Sequence, residues 1–411
     1  MTLHPIISAL LRNKTGPLLV AIQVALSLAL LANALHIVQV RQAVAARPSG
    51  VANEEQVFTL QVRHLTVPPH EQSLANQQRE KAALRAVAGV TSVAGVTQTP
   101  LARSGNYFGL STDRKQTTAV ATTTHYVASD SVVQTWGLQL LEGRDFAPGD
   151  YIDIDATTST ESPRVVIVTR ALARKLFPTA TSVIGKDIYV GTGTGSKSLQ
   201  IIGVVERLQS PAAQVSEDAE NSVIVPVRLT GSLGNDYAVR AEAGQRDRVI
   251  KEAEAAIRAA SAMPLIVRSK TLLDYRNERY RADNAMAWML VAVSVLLLLI
   301  TASGIVGMAS LWVTQRRKQI GVRRALGARR IDILRYFLAE NFLITSTGVA
   351  GGVLLGLGLN QLLVSRLEME RLPPGYLLAG AALLWVLGML AVLGPAWRAA
   401  SISPATATRS A

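Results

Sequence analysis

Four segments of this chain are too apolar for the surface of a water-soluble protein. Each contains no Asp, Glu, Lys or Arg over at least 22 residues, and they cover residues 17–38, 285–313, 342–364 and 376–397. A helix of about 20 apolar residues is long enough to cross the hydrocarbon core of a bilayer. The sequence therefore predicts an α-helical membrane protein with four transmembrane helices.

The segment between the second and third predicted helices indicates the orientation. From Gln315 to Arg335 it contains eight basic residues and one acid, Asp332. Short basic loops beside membrane spans stay in the cytoplasm. The segments expected in the cytoplasm are the N-terminus (1–16), this loop (314–341) and the tail (398–411). Those expected outside are the long segment 39–284 and the short loop 365–375.

Two other interpretations of the basic residues are weaker. A formal net charge of +13 is compatible with nucleic-acid binding, but much of it flanks predicted spans, so no nucleic-acid partner is expected. Arg12 and Lys14, followed by an apolar run and by Ala43-Val-Ala45, resemble a signal peptide with a cleavage site. The apolar run is longer than the roughly 7–15 residues of a signal peptide. Retention is expected, and cleavage stays the alternative.

The outer segment 39–284 is predicted to be a large mixed α/β domain. Short β-branched runs alternate with segments of helical spacing, which indicates two small α/β layers. The predicted strands are Phe58–Leu65, Val90–Val96, Thr117–Val127, Arg164–Thr169, Ile188–Val190, Leu199–Val205, Asn221–Val227 and Tyr237–Ala241. The predicted helices are His70–Val87, a short helix from Ser129 to Gly137 with Ser129 as its cap, one between Thr169 and Pro178, and Arg246–Ala259.

Both ends of the outer segment are predicted to continue the membrane helices as stalks. Helix-forming residues run from Ile37 to Ala46, before Pro48, and from Thr271 to Asp283, with Ser269 as the expected N-cap. A continuous helix transmits displacement, whereas a flexible linker absorbs it.

The sequence shows no catalytic, cofactor-binding or metal-binding constellation. Gly191–Ser198 is glycine-rich, but Ser196 stands where a phosphate loop requires its second glycine, so the segment is expected to be a hairpin turn. The acids Asp150, Asp153 and Asp155 are expected to form a solvated loop. The chain has no cysteine, and its five histidines lack metal spacing. We expect a non-enzymatic chain that cannot hydrolyse ATP by itself.

The basic loop has a pattern of its own. Ile320, Ile331, Leu334 and Leu338 would share one helical face, and Gly327 interrupts the pattern, which predicts two short helices meeting at a corner. Lipid head groups will bind some of the arginines, with Arg316 and Arg317 expected nearest to them. A short amphipathic helix also suits a partner's groove. The residues expected to contact a partner are Ile320, Gly321, Arg323, Arg324, Ala325, Leu326 and Gly327.

A second pattern lies in the third predicted span. Gly348, Gly352 and Gly356 recur at intervals of four, so they share one helix face. Small residues at this spacing let another helix approach closely. The pattern leaves two alternatives open, packing within the subunit and packing between two subunits.

Several stretches resemble the MacB/FtsX-like permease family of ABC transporters. They are RKQIGVRRALGARRIDIL at 317–334 with the glycine-rich span after it, GPAWRAASISPATATR at 394–409, LEGRDF at 141–146, ARKLFP at 173–178, IGK at 184–186 and IGVV at 202–205. Gln315 and Gln319 stand where this family usually carries acids. No nucleotide-binding domain is expected before the first span, unlike in MacB itself.

The resemblance implies more than the residues alone. It implies a MacB-like periplasmic core domain of two lobes, one inserted at about 129–220, and an FtsX-like permease domain at 285–405 in the bacterial inner membrane. The implied partners are a cytoplasmic ABC ATPase, a second copy or a related permease, a periplasmic adaptor and membrane lipids. The implied function is MacB-type export driven by that ATPase. The alternative is an FtsX-like regulator of an envelope enzyme or sensor. The substrate stays open.

Overall fold

The computed structural model describes residues 14–103, 105–191, 193–211, 217–261, 264–367 and 371–401. It divides into two compact units, one of Met1–Ala43 with Asp283–Ala411 and one of Val44–Ala282. Most of the predicted cytoplasmic N-terminus and tail, and part of the short loop 365–375, lie outside the described residues. The domain boundaries given above remain predictions.

Four helices are long and apolar enough to cross a membrane, and each contains one of the predicted spans. These are α1, α6, α8 and α9. In chain order the helices are α1 Thr15–Ala45, α2 His70–Arg85, α3 Val132–Trp136, α4 Arg170–Leu176, α5 Arg246–Ala260, α6 Leu272–Gln315, α7 Arg317–Ala325, α8 Arg330–Leu367 and α9 Pro374–Ala400. The chain is therefore a membrane protein, as predicted.

The unit of membrane helices is held together by apolar side chains from every one of its long helices. Val24 and Leu28 of α1, Ile305 of α6, Ile344 of α8 and Leu384 of α9 belong to one buried cluster. This cluster extends to the basic loop through residues described below.

The second unit is a mixed α/β domain, also as predicted. Its strands are β1 Val57–His64, β2 Val90–Val96, β3 Tyr107–Ser111, β4 Ala121–Ala128, β5 Leu140–Gly143, β6 Ile152–Asp155, β7 Val165–Thr169, β8 Asp187–Val190, β9 Lys197–Val205, β10 Ser222–Thr230, β11 Gly234–Ala241 and β12 Leu265–Thr271. They form one sheet in the order β12-β1-β11-β2-β4-β3-β8-β9-β7-β10-β6, and β5 pairs with β9.

One half of this sheet has a βαββαβ arrangement. The strands β12, β1, β11 and β2 are antiparallel neighbours. The alternating residues Phe58, Leu60 and Val62 of β1 are buried in one cluster with Leu84 of α2 and Ile257 of α5. Because alternate strand residues share a face, both helices cover the same face of the sheet.

The other half contains the parallel pairs. The run Val165–Thr169 of β7 is β-branched and buried, and it pairs in parallel with β9. Strand β10 pairs in parallel with β4 as far as Pro226 and then with β6. Because β2 also pairs with β4, the sheet is continuous. The expected division into two lobes is not resolved as two separate compact units.

Two predicted helix caps are wrong. The cap of α3 is Ser131, whose hydroxyl accepts a hydrogen bond from the Gln134 amide at 2.9 Å, whereas Ser129 lies before the helix. Ser269 lies within β12, and α6 is capped by Thr271, whose hydroxyl accepts a hydrogen bond from the Asp274 amide at 3.0 Å. The Asp274 carboxylate accepts one from the Thr271 amide at 2.9 Å, which completes a reciprocal cap.

Candidate coupling site

The basic loop forms a corner of two helices, as the sequence predicts. Helix α7 ends at Ala325 and α8 begins at Arg330. Gly327 between them has a φ of 98°, a backbone conformation that glycine adopts without steric cost. The second helix is not short, because α8 continues from the corner to Leu367 through the whole third span.

One side of the corner is buried in the membrane unit. Ile320 of α7 is only 5% exposed, and it packs in the same cluster as Ile333 and Phe337 of α8. The prediction that Ile331 shares this face is wrong, because Ile331 is exposed. The turn at Gly327 interrupts the helix. The helical spacing counted from Ile320 therefore does not apply to residues after the turn.

The other side of the corner is exposed. Leu326 is 83% exposed at the end of α7, and Val322 one turn earlier is also exposed. An isolated exposed leucine is ordinary. Here it stands at a turn whose preceding helix is anchored by Ile320 and by Gly321, which is also buried. The arrangement presents an exposed apolar side chain at the end of an anchored helix.

The two arginines expected to bind a partner's acids have contacts of their own. The guanidinium of Arg323 lies 5.1 Å from the ring centre of Tyr336. Nη1 of Arg324 donates a hydrogen bond to the carbonyl oxygen of Ala400, at 2.6 Å, at the end of α9. Arg324 therefore links α7 to α9. Whether either residue also binds a partner's acid stays a prediction.

The loop also contains an ion pair that sequence reasoning missed. Nη1 of Arg316 lies 2.9 and 2.8 Å from the carboxylate oxygens of Glu340, whose side chain is fully buried. Arg316 therefore has an ionic partner within the chain, and its nearness to lipid head groups stays a prediction. The only sign of this pair in the sequence was that the acid Glu340 follows the basic segment. The two residues are 24 positions apart.

The glycine face of α8 packs within the chain. A β-carbon on Gly348 would lie 2.7 Å from Val24 Cβ, and one on Gly352 would lie 2.8 Å from Leu28 Cβ. At Gly356 the nearest atom would be Leu377 Cδ2 at 3.0 Å. The first two glycines thus let α1 approach α8. The structure shows packing inside the chain, and packing between two subunits stays a prediction.

The ends of the two helical extensions are tied together in the α/β unit. Nη1 of Arg276 in α6 donates hydrogen bonds to the carbonyl oxygens of Ala45 at 2.8 Å and Arg47 at 3.1 Å, at and beyond the end of α1. Its Nη2 lies 2.6 Å from Glu54 Oε1. The buried Leu101 packs beside Val44 and belongs to the same small cluster. The helical extensions predicted from the sequence are present.

Comparison with models of known protein families identifies the family of this chain. A model of the MacB-like periplasmic core domain matches residues 23–260, and a model of the FtsX-like permease C-terminal domain matches residues 291–404. The first alone covers more than half of the chain. The chain belongs to the MacB/FtsX-like permease family of ABC transporters.

Two members of this family are moderately similar to this chain in sequence. The pyoverdine export ATP-binding/permease protein PvdT of Pseudomonas savastanoi pv. phaseolicola is 29% identical over 60% of this chain and 38% of its own length. The macrolide export ATP-binding/permease protein MacB of Nitrosomonas europaea is 30% identical over 62% of this chain and 39% of its own length. The chain thus spans less than two-fifths of either relative.

Among solved structures, a domain of a putative permease protein from Porphyromonas gingivalis is similar to this chain. The match covers 55% of this chain and 97% of the Porphyromonas domain. The sequence identity is 14% and the TM-score is 0.33. A similarity of that size carries no argument about this fold, so the family assignment stands on the two sequence models.

Proposed function

We propose that this chain is the permease subunit of a MacB-type ABC exporter of the bacterial inner membrane. A separate cytoplasmic ATPase would bind the corner of α7 and α8, and its hydrolysis cycle would move the periplasmic domain. Family membership supports the permease role, and the names of the MacB and PvdT relatives support export. The observation that carries the proposal is the exposed Leu326 on an anchored corner.

The corner is suited to receive a force. Leu326 offers an apolar contact, while Ile320 and the pair of Arg316 with Glu340 fasten the corner to the membrane helices. A displacement applied at Leu326 would therefore move α7 and α8 together. The groove on the ATPase is expected to surround Leu326 with apolar side chains and to offer acids to Arg323.

The continuous helices suit the transmission of that displacement. Helix α6 is one helix from Leu272 to Gln315, and α7 begins at Arg317. A helix rises about 1.5 Å per residue and is stiff over such lengths. In this proposal both termini are cytoplasmic, the permease acts as a dimer, and the outer domain works as two lobes, one comprising about residues 129–220. A periplasmic adaptor would meet that domain.

The test uses the full chain, tagged and purified from its native cells with whatever ATPase accompanies it. Leu326→Asp places a charge in the expected contact, so copurification and stimulated ATP hydrolysis should be lost while membrane insertion persists. The matched control is Leu233→Asp, an equivalent change at an exposed leucine of the outer domain, which should retain both. Retention of both activities by Leu326→Asp would mean that the ATPase binds elsewhere. An envelope hydrolase in place of an adaptor among the copurifying proteins would favour the regulatory alternative.

A further inference from the structure

A narrow apolar groove lies between the start of α8 and the end of α9. Its volume is about 180 Å³, and it is lined by Arg330, Ile331, Leu334, Trp397, Ala400 and Ser401. Trp397 is 69% exposed. The groove therefore combines an apolar wall, an exposed indole and one cation.

The charges around the groove favour an anion at Arg330. Within the described residues Arg330 has no ion-pair partner, and it is exposed. The nearest acid in sequence, Asp332, accepts a hydrogen bond from the Arg329 amide at 3.0 Å and so caps α8. The C-terminus of a helix carries partial negative charge, but Arg324 donates to the Ala400 carbonyl there. Arg330 is the basic residue in the lining of the groove.

The groove lies at one end of the fourth predicted span. Trp397 is the last residue of the fourth apolar segment, and Arg330 begins the helix that contains the third. Indole rings favour the membrane–water interface, and long cationic side chains extend from apolar surroundings toward head groups. An amphiphile with an acyl chain and an anionic head group meets both parts of this groove.

We propose that the groove binds one anionic phospholipid. Its acyl chain would lie against Ile331, Leu334 and Trp397, and its phosphate would form an ion pair with Arg330. This site is separate from the exposed Leu326, and the proposal does not depend on the identity of the ATPase. The bound lipid would join α8 to α9 beside the corner.

The test measures quenching of Trp397 by brominated lipids. The full chain is reconstituted in phosphatidylcholine vesicles with increasing fractions of either brominated phosphatidylglycerol or brominated phosphatidylcholine. Because the chain has five tryptophans, the signal of Trp397 is taken as the difference from the Trp397→Phe variant. Half-maximal quenching should need about fivefold less of the anionic lipid, because a basic residue near the surface contributes about 1 kcal/mol to anionic-lipid binding.

Arginine variants separate a specific site from general surface charge. Arg330→Gln should remove the roughly fivefold preference, and Arg330→Lys, which keeps the charge, should retain most of it. Arg335→Gln is the matched control, because Arg335 is exposed on the same helix and does not line the groove. Equal quenching by both lipids, or an equal loss in the Arg330 and Arg335 variants, would overturn the proposal. So would a copurified protein that shields Trp397 from both lipids.

Discussion

Replacing Gly352 by alanine tests the close approach of α1 to α8. The added β-carbon would lie 2.8 Å from Leu28 Cβ and 2.9 Å from the Ala25 carbonyl oxygen. Carbon atoms in contact prefer separations of about 3.5–4.0 Å, so the helices would have to move apart by roughly 1 Å. An insertion of this kind into a packed core costs about 1–3 kcal/mol.

Gly358 provides the control on the same helix. A β-carbon there would meet no atom within 4 Å, so Gly358→Ala should gain up to about 1 kcal/mol from the better helix propensity of alanine. The same gain applies to Gly352→Ala and cancels in the comparison. Gly352→Ala should therefore be less stable than Gly358→Ala by the packing cost alone, about 1–3 kcal/mol.

The measurement is reversible unfolding of the purified chain in mixed detergent micelles with increasing dodecyl sulfate, followed by circular dichroism. A lower midpoint for Gly352→Ala than for Gly358→Ala is expected. Equal midpoints would refute the reasoning, because they would mean that α1 does not contact this face of α8 and that the glycines serve another interface.

Two further changes test ion pairs. Arg316→Gln should lower the free energy of unfolding by about 3–5 kcal/mol, because it leaves the buried Glu340 carboxylate unpaired. Adding Glu340→Gln should restore part of the lost stability. No recovery in the double variant would contradict this pair. The second pair joins Asp130 to Lys81 at 2.8 Å. Partial desolvation of the Asp130 carboxylate raises its pKa, but the ion pair with Lys81 and the hydrogen bonds with Lys81 and Ser129 have the larger effect. Together they hold the pKa of Asp130 below its usual value. Its stabilisation is present above the unfolded pKa of about 3.9 and is lost as pH falls through the lower folded pKa. Asp130→Asn should cost about 2 kcal/mol at pH 7, because it weakens hydrogen bonds to a charged group. It should also flatten the acid limb of a thermal-stability profile, and an unchanged limb would contradict this assignment.

Features set by local composition were predictable from the sequence. The four uncharged segments lie in α1, α6, α8 and α9, and β-branched runs such as Val165–Thr169 became strands. These predictions succeed because length, apolarity and periodicity act over neighbouring residues. The corner at Gly327 belongs to the same class, since a glycine inside a helical pattern marks an interruption.

Features that depend on distant partners were not predictable. Ser269 looks like a helix cap until β12 pairs with β1, and that pairing holds it in a strand. The pair of Arg316 with Glu340 requires the end of α6 to meet α8. Likewise, the spacing of Gly348, Gly352 and Gly356 reveals a face for close packing but does not identify the neighbouring helix.

The cross-helix contacts of α1 have a consequence for biosynthesis. Ser27 hydrogen-bonds Thr301 at 2.7 Å, and Asn33 donates to the Gly356 carbonyl at 3.2 Å; these partners lie 274 and 323 residues later in the chain. At about 5–20 residues per second, α1 waits in the bilayer for roughly 15–60 s before either partner is synthesised. All strands of the outer sheet end by Thr271, so that domain can fold during the wait. Of the four described spans, the earliest in the chain is thus among the last to complete its contacts.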